Sequence, residues 1–225
     1  MVSTEYAPVV MEQEDVMRYF RDRREAGRLL GERLLGLGIE RPVVLGIPRG
    51  GVPVAAAVAE ALGCPFDVIV VRKLGAPTAP EVAMGAVGER GAVVWNEDVI
   101  AAADASGTLL DAVRRREEAE VASRVRRFRG GADPVPLEGA TAVVVDDGVA
   151  TGATARVACR IARELGAARV VLGAPVAAPD AIARFAEADE VVCLHSPAGF
   201  MSVGMHYVDF GQTPDEEVAL ILASR

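Results

Sequence analysis

Ala142-Val-Val-Val-Asp-Asp-Gly-Val-Ala-Thr-Gly-Ala-Thr154 decides how the rest of the chain is read. Residues 142–145 are a short apolar run, rich in β-branched side chains and without a polar break, as expected of a strand buried on both faces of a parallel sheet. Asp146 and Asp147 end it. Gly148, Val149, Ala150, Thr151, Gly152, Ala153 and Thr154 follow, mostly small residues whose backbone can wrap an anion, with hydroxyl donors where the apolar spacing of a helix begins. A carboxylate repels a phosphate, so the two halves together suit a phosphorylated sugar. Ionised acids accept hydrogen bonds from vicinal hydroxyls while the N–H groups beyond them hold the ester. An ordinary strand-to-helix turn with a capping Thr explains parts of this pattern but not the whole of it in order. The stretch is neither a Walker A loop nor a dinucleotide fingerprint, since it lacks Gly-Lys-Ser/Thr and Gly-x-Gly-x-x-Gly.

Upstream, residues 43–45 form an apolar run after Pro42, and Pro48-Arg49-Gly50-Gly51 opens a small-residue helix over 52–62 that Gly63 closes. With a second strand over 67–71 this is a βαβ unit. An amphipathic helix precedes it from Asp15, with Val16, Phe20, Leu30, Leu34 and Leu35 near helical spacing, and residues 1–14 read as a loose arm. Past Arg72-Lys73, residues 74–95 carry Gly75, Pro77, Pro80, Gly85, Gly88 and Gly91, too broken for a helix; they read as a flexible hairpin with arms at 82–87 and 92–95. Residues 106–129 show an interrupted apolar stripe with i,i+4 ion pairs, a solvated helix. Downstream come a helix over 152–165, a strand over 169–173, a helix over 179–188 and a strand over 190–194. The tail breaks this rhythm, with an edge strand expected at 205–210 and a last helix at 214–224. Alternating strands and helices predict a doubly wound α/β fold: a mainly parallel five-stranded sheet of order 2-1-3-4-5, the hairpin loop, and a small C-terminal hood over 195–225. In that order the Pro48–Gly51 loop faces the acid pair across the switch point.

A chain of 225 residues, 51% of them hydrophobic, can bury one good core, so residues 1–225 are expected to form a single domain. The net charge of −8 argues against nucleic-acid or anionic-membrane partners, which call for a basic footprint. Cys64, Cys159 and Cys193 have no ligand-like spacing and read as reduced structural thiols. Absence of a long apolar run and of a signal-peptide pattern makes the cytoplasm the expected address.

Residues 142–154 closely resemble the thirteen-residue phosphoribosyl pyrophosphate (PRPP) motif of type I phosphoribosyltransferases. The resemblance implies transfer of the 5-phosphoribosyl group from PRPP to a nitrogen nucleophile, a nucleobase in most of the family, with pyrophosphate released and Mg²⁺ assisting. Asp146 and Asp147 would hold the ribose hydroxyls and, directly or through water or substrate, the metal. Gly148 to Thr154 would hold the 5-phosphate. Arg49, Gly50 and Gly51 match the family's pyrophosphate loop, and Arg72 and Lys73 stand where adenine and orotate members carry basic residues; Arg49 and Lys73 would then join the acid pair as catalytic groups. Residues 74–95 occupy the place of the family's flexible catalytic loop. The segment 200–210 faintly resembles the hood of 6-oxopurine members, which would make Phe200 a base-stacking residue and Asp209 a metal residue, across an interval one residue longer than theirs. Ala150 departs from those members, which place a carboxylate there to exchange a proton with the purine. Ala-Thr-Gly at 150–152 and Val71-Arg72-Lys73 are closer to adenine phosphoribosyltransferases. A homo-oligomer is compatible with the family. Two other readings use the same residues: a PRPP-sensing regulator without turnover, and a hydrolase of phosphorylated sugars.

Overall fold

β-Branched runs form the centre of the molecule, and glycines and prolines separate its elements. In the computed structural model the described residues are 8–11, 19–76, 79–102, 107–183 and 185–225. Chain order runs β1 (Val9–Met11), α1 (Arg23–Leu35), β2 (Pro42–Gly46), α2 (Gly51–Leu62), β3 (Phe66–Val68), β4 (Arg72–Ala76), β5 (Ala79–Val87), β6 (Val93–Trp95), α3 (Glu97–Ala102), α4 (Gly107–Arg129), β7 (Thr141–Val145), α5 (Ala153–Glu164), β8 (Arg169–Val176), α6 (Pro179–Ile182), β9 (Glu190–His195) and α7 (Asp215–Ala223). The main sheet has the order β1-β9-β8-β7-β2-β3, with every neighbouring pair parallel. Its five strands β3-β2-β7-β8-β9 are the expected 2-1-3-4-5 order.

Each central strand divides its side chains between two cores, as a period of two on a covered sheet requires. Val143 and Val145 of β7 join Val44, Leu30, Leu34, Val52 and Val58 on the face covered by α1 and α2; Ala142 and Val144 join Val170, Leu172, Ala158, Cys159 and Ile161 on the face covered by α5. Cys159 and Cys193 are buried free thiols and Cys64 is half-buried and free. Burial pushes the Cys193 thiol up to about 12, which suits packing rather than reactivity. Among the described residues no helix is long and apolar enough to cross a membrane.

Several expectations are corrected. Part of the loose arm is β1, whose Val9 pairs with Val191 and so adds a sixth strand; residues 1–7 and 12–18, with Val16, lie outside the described residues. Phe20 precedes α1 and bridges to Tyr207 instead of extending the helical stripe. The expected edge strand at 205–210 is absent as such: residues 203–206 make a 3₁₀ turn, and β1 already occupies the free side of β9. The second strand stops at Val68, so Arg72 and Lys73 begin β4 of a separate antiparallel sheet, β4-β5-β6. That sheet contains the expected hairpin, with Gly85 opposite Trp95 and Val87 opposite Val93. Residues 77–78, 103–106 and 184 are outside the described residues; 77–78 fall within the expected hairpin, 106 begins the expected 106–129 helix and 184 falls within the expected 179–188 helix, while α6 ends at Ile182.

Beneath β3, Arg129 gathers two acids. Its Nε donates to Asp67 Oδ1 at 2.9 Å, its Nη2 donates to Val68 O at 3.0 Å and Glu89 Oε1 at 3.1 Å, and all three side chains are nearly inaccessible to water. Burial pushes the Glu89 carboxyl up, against the opposing pull of Arg129. Arg225 also reaches Asp67, at 2.6 Å. Arg129→Met would leave those carboxylates buried with much of their compensation gone, and is expected to lower stability by about 3–5 kcal/mol. Urea unfolding measures the change.

Candidate active site

β2 and β7 are parallel neighbours whose last residues, Gly46 and Val145, are in register. α2 leaves β2 for one face of the sheet and α5 leaves β7 for the other, so the loops beyond the two strands stand at the usual ligand position in such sheets. Ile47 N donates to Val145 O at 2.9 Å and Gly51 N to Ile47 O at 3.0 Å, which turns the first loop back over β7. The Pro48–Arg49 peptide bond is cis. The loop then lies directly on the acids. A Cβ on Gly50 would fall 2.0 Å from Asp147 Oδ2, and one on Gly51 would fall 2.6 Å from Val145 O and 3.1 Å from Asp146 Oδ1. Only glycine permits this approach.

Asp146 Oδ1 accepts from the Asp147 backbone N–H at 2.9 Å. Loss of solvation, then the neighbouring Asp147 charge, raise the Asp146 carboxyl well above its ordinary 3.8. Asp147 is held from two other elements. Its Oδ2 accepts from Arg23 Nε at 2.8 Å, and its carbonyl accepts from the Tyr207 hydroxyl at 2.7 Å. Burial pushes the Tyr207 phenol up, keeping it a hydrogen-bond donor.

Beyond the acids, Gly148 is packed so closely that a Cβ would meet Val203 Cγ1 at 2.5 Å, and Val149 bridges to Ala177. Ala150, Thr151, Ala153 and Thr154 are exposed. Gly152 adopts φ 77°, a left-handed conformation that turns the loop into α5. Open backbone thus leads into a helix N-terminus, a geometry that suits an anion.

The expected cations are spread differently. Arg49 is exposed and lies 3.6 Å from Asp215 of α7. Arg72 donates from Nε to Glu117 of α4 at 2.9 Å. Burial favours the protonated form of Glu117, but hydrogen bonds from Arg116 and Arg72 outweigh this and hold it below the ordinary value. Arg72 thus has a structural partner away from the acid pair. Lys73 is exposed on β4. Phe200 is half-buried and stacks on His206 with centroids 5.7 Å apart; His206 in turn meets His195 edge-on at 5.4 Å. Asp209 is exposed and lines, with Arg23, Gly211 and Thr213, a cleft of about 330 Å³.

Sequence reasoning missed Arg23 and Tyr207. Nothing near Tyr207 in sequence points to it. Arg23 had a legible pointer: Arg23, Gly27 and Gly31 lie at intervals of four on one face of α1.

Among the described residues no group of three or more His, Cys, Asp or Glu side chains is placed to cage a metal. Asp146 and Asp147 still fit Mg²⁺, which is commonly bound through one or two carboxylates plus substrate phosphates and water.

Residues 21–195 match the profile of the phosphoribosyl transferase domain. The chain belongs to that family. In two strains of Mycobacterium tuberculosis, CDC 1551 and H37Rv, a protein provisionally named phosphoribosyl transferase is 53% identical over 207 residues, covering 92% of this chain. The match takes in 47% of that relative, so the chain spans about half the length of the curated relatives it matches. The crystal structure of TT1426 from Thermus thermophilus is 45% identical, with a TM-score of 0.85 over 92% of this chain and 99% of that one. The α/β sheet and its order are shared at that level.

The raised Asp146 carboxyl predicts a proton exchange. A folded-state value above 3.8 means this group favours folding most at low pH, and that contribution is lost as pH rises through the raised value. A ligand that hydrogen-bonds to the ionised carboxylate must expel the proton. Binding of such a ligand, tested with PRPP and Mg²⁺, is therefore expected to release protons and to weaken as pH falls through the raised value. Calorimetry in two buffers of different ionisation enthalpy measures the release; none at any pH would show that Asp146 does not meet the ligand.

Proposed function

We propose that the protein is a phosphoribosyltransferase that moves the 5-phosphoribosyl group of PRPP to a nitrogen nucleophile of the nucleobase class and releases pyrophosphate. The observation that carries this reading is the contact of the Gly50–Gly51 loop with Asp146 and Asp147, because it brings a pyrophosphate-type loop and a hydroxyl-binding pair to one point. Family membership supports it.

In this reading Asp146 and Asp147 accept hydrogen bonds from the two ribose hydroxyls. Backbone N–H groups of residues 148–154 hold the 5-phosphate at the start of α5. The Pro48–Gly51 loop, held against the acid pair by Gly50 and Gly51, would meet the pyrophosphate, and Arg49 would turn from Asp215 towards it with a fork of donors. Mg²⁺, when bound, would offset charge on the departing pyrophosphate. The nitrogen lone pair forms the bond to C1 as the C1–O bond breaks, and that electron pair leaves on pyrophosphate. Water must be kept from so electrophilic a carbon, a task for residues 74–95 as a closing loop. Lys73 sits at the base of that loop, and Phe200 in the hood would lie towards the base. The reading takes residues 1–225 as one domain acting in the cytoplasm.

Arg49→Ala is expected to weaken PRPP binding by roughly 1.5–3 kcal/mol, the usual worth of a hydrogen bond to a charged group, and to spare ribose 5-phosphate. Calorimetry with both ligands decides; equal losses would remove Arg49 from the pyrophosphate site.

The acceptor test is mass spectrometry of the protein with PRPP, Mg²⁺ and a nucleobase panel. Ala150 offers a methyl where 6-oxopurine transfer needs a proton carrier, and such help is typically worth about 10²- to 10⁴-fold. Adenine or another amine is therefore expected to be used in preference to hypoxanthine or guanine. Turnover of guanine without adenine would overturn the preference; ribose 5-phosphate released with no acceptor would identify a hydrolase.

A further inference from the structure

Arg23 stands at the first turn of α1 and touches both halves of the candidate site. Its Nε donates to Asp147 Oδ2 at 2.8 Å, its Nη1 donates to the Gly211 carbonyl at 2.7 Å, and its guanidinium carbon lies 4.1 Å from the centre of the Phe210 ring. Arg23 and Asp147 are only 13% and 15% exposed. Its neighbours are different. Arg21 is 73% exposed beside Asp22, and Arg24 is 80% exposed beside Glu60.

Backbone packing puts Arg23 there. A Cβ on Gly27 would lie 2.4 Å from Val54 O, and one on Gly31 would lie 2.5 Å from Ala61 Cβ, so α1 rests on α2 with almost nothing between them. The same face of α1 presents Arg23 one turn earlier, where a Cβ on Gly50 would meet its Nε at 3.2 Å. The guanidinium is therefore fixed by Asp147 and the tail together, close beside the first loop. A side chain so constrained loses little further freedom when a ligand arrives.

Adjacent carboxylates oppose a polyphosphate ligand, and the chain as a whole is acidic, with a net charge of −8. A largely covered guanidinium against one carboxylate offsets that repulsion where screening by water is reduced. Because Arg23 approaches through Nε at Oδ2, it also fixes the direction in which the carboxylate faces. Resting on the reading of PRPP as the ligand, we infer that Arg23 is a positioning residue of the site, holding Asp147 in place and offsetting its charge so that one ligand can present both hydroxyls and phosphates.

The test is a double-mutant cycle on the full chain, with PRPP and Mg²⁺ titrated by calorimetry into wild type, Arg23→Gln, Asp147→Asn and the double variant. Arg23→Gln is expected to weaken binding about tenfold or more, while Arg24→Gln leaves it unchanged. The double variant should be no weaker than the poorer single variant within about twofold, because Arg23 acts through Asp147. Far-UV circular dichroism and melting establish that each variant is folded. If Arg23→Gln does not fold, Arg23→Lys, which keeps the charge but not the fork, replaces it in the same cycle with a smaller loss expected. Wild-type affinity in a folded Arg23 variant, or losses that simply add, would overturn the role of Arg23. A wild-type protein that binds no PRPP would overturn the functional reading on which it rests.

Discussion

The close approach of Gly50 and Gly51 to Asp146 and Asp147 is the constraint on which the rest of the structure depends. It requires β2 and β7 to be adjacent, parallel and level at their ends, and the register of Gly46 with Val145 provides this. The Ile47 to Val145 hydrogen bond then carries the pairing one residue further and bends the first loop over the acids. A side chain at either glycine would push that loop away, since even a methyl would overlap the Asp147 carboxylate at Gly50 and the Val145 carbonyl at Gly51. Helices α2 and α5 leave for opposite faces, and in sheets of this topology the usual ligand position lies beyond the carboxyl ends of the two strands, whatever functional side chains stand there.

Charge separates the site from the scaffold. Asp67 and Glu89 are buried, but Arg129, Arg225 and backbone N–H groups already occupy their oxygens. Such carboxylates are internally satisfied, and a ligand gains nothing there. Asp146 and Asp147 lie half-buried at the carboxyl end of β7, one disfavoured as an anion by loss of solvation and the other held by Arg23. Two adjacent acids in unlike environments are poised for a ligand in a way that a salt bridge inside the core is not.

The parts of the fold legible in the sequence are those whose cause is local. Residues 142–145 read as a buried strand because every side chain is apolar, and both faces of β7 are covered. Gly63 was legible as a stop because a left-handed residue, here φ 61°, ends a helix readily when it is glycine. What was hidden depends on partners distant in sequence. A three-residue strand such as β1 has no period to detect and exists through β9. Met205 to Phe210 contains Tyr, Val and Phe, residue types common in strands, yet Gly204 admits the Phe210 ring, whose Cδ1 lies 2.8 Å from where a Cβ would be, and the tail folds on itself. The acid pair and both glycine loops of the candidate site were legible from motif order. Arg72 begins β4 rather than ending the second strand, and its partner Glu117, 45 residues away on α4, was not legible in the sequence.

The tail also connects the two sides of the proposed reaction. Tyr207 donates to the Asp147 carbonyl, Phe210 lies under the Arg23 guanidinium, and Gly211 accepts from it, while Val203 packs where a Cβ of Gly148 would be. Val208 N and Asp209 N are bound in turn to the carbonyls of Phe20 and Arg21, which fixes the tail to the entry of α1. Under the proposed reading the hood faces the acceptor, whereas Asp147 and Gly148 face the phosphoribosyl donor. The same few contacts therefore serve both. Under that reading a substitution in residues 203–211 that reshapes the acceptor side would also move a support of the acid pair, so acceptor choice and donor affinity would not be separable surfaces of the fold.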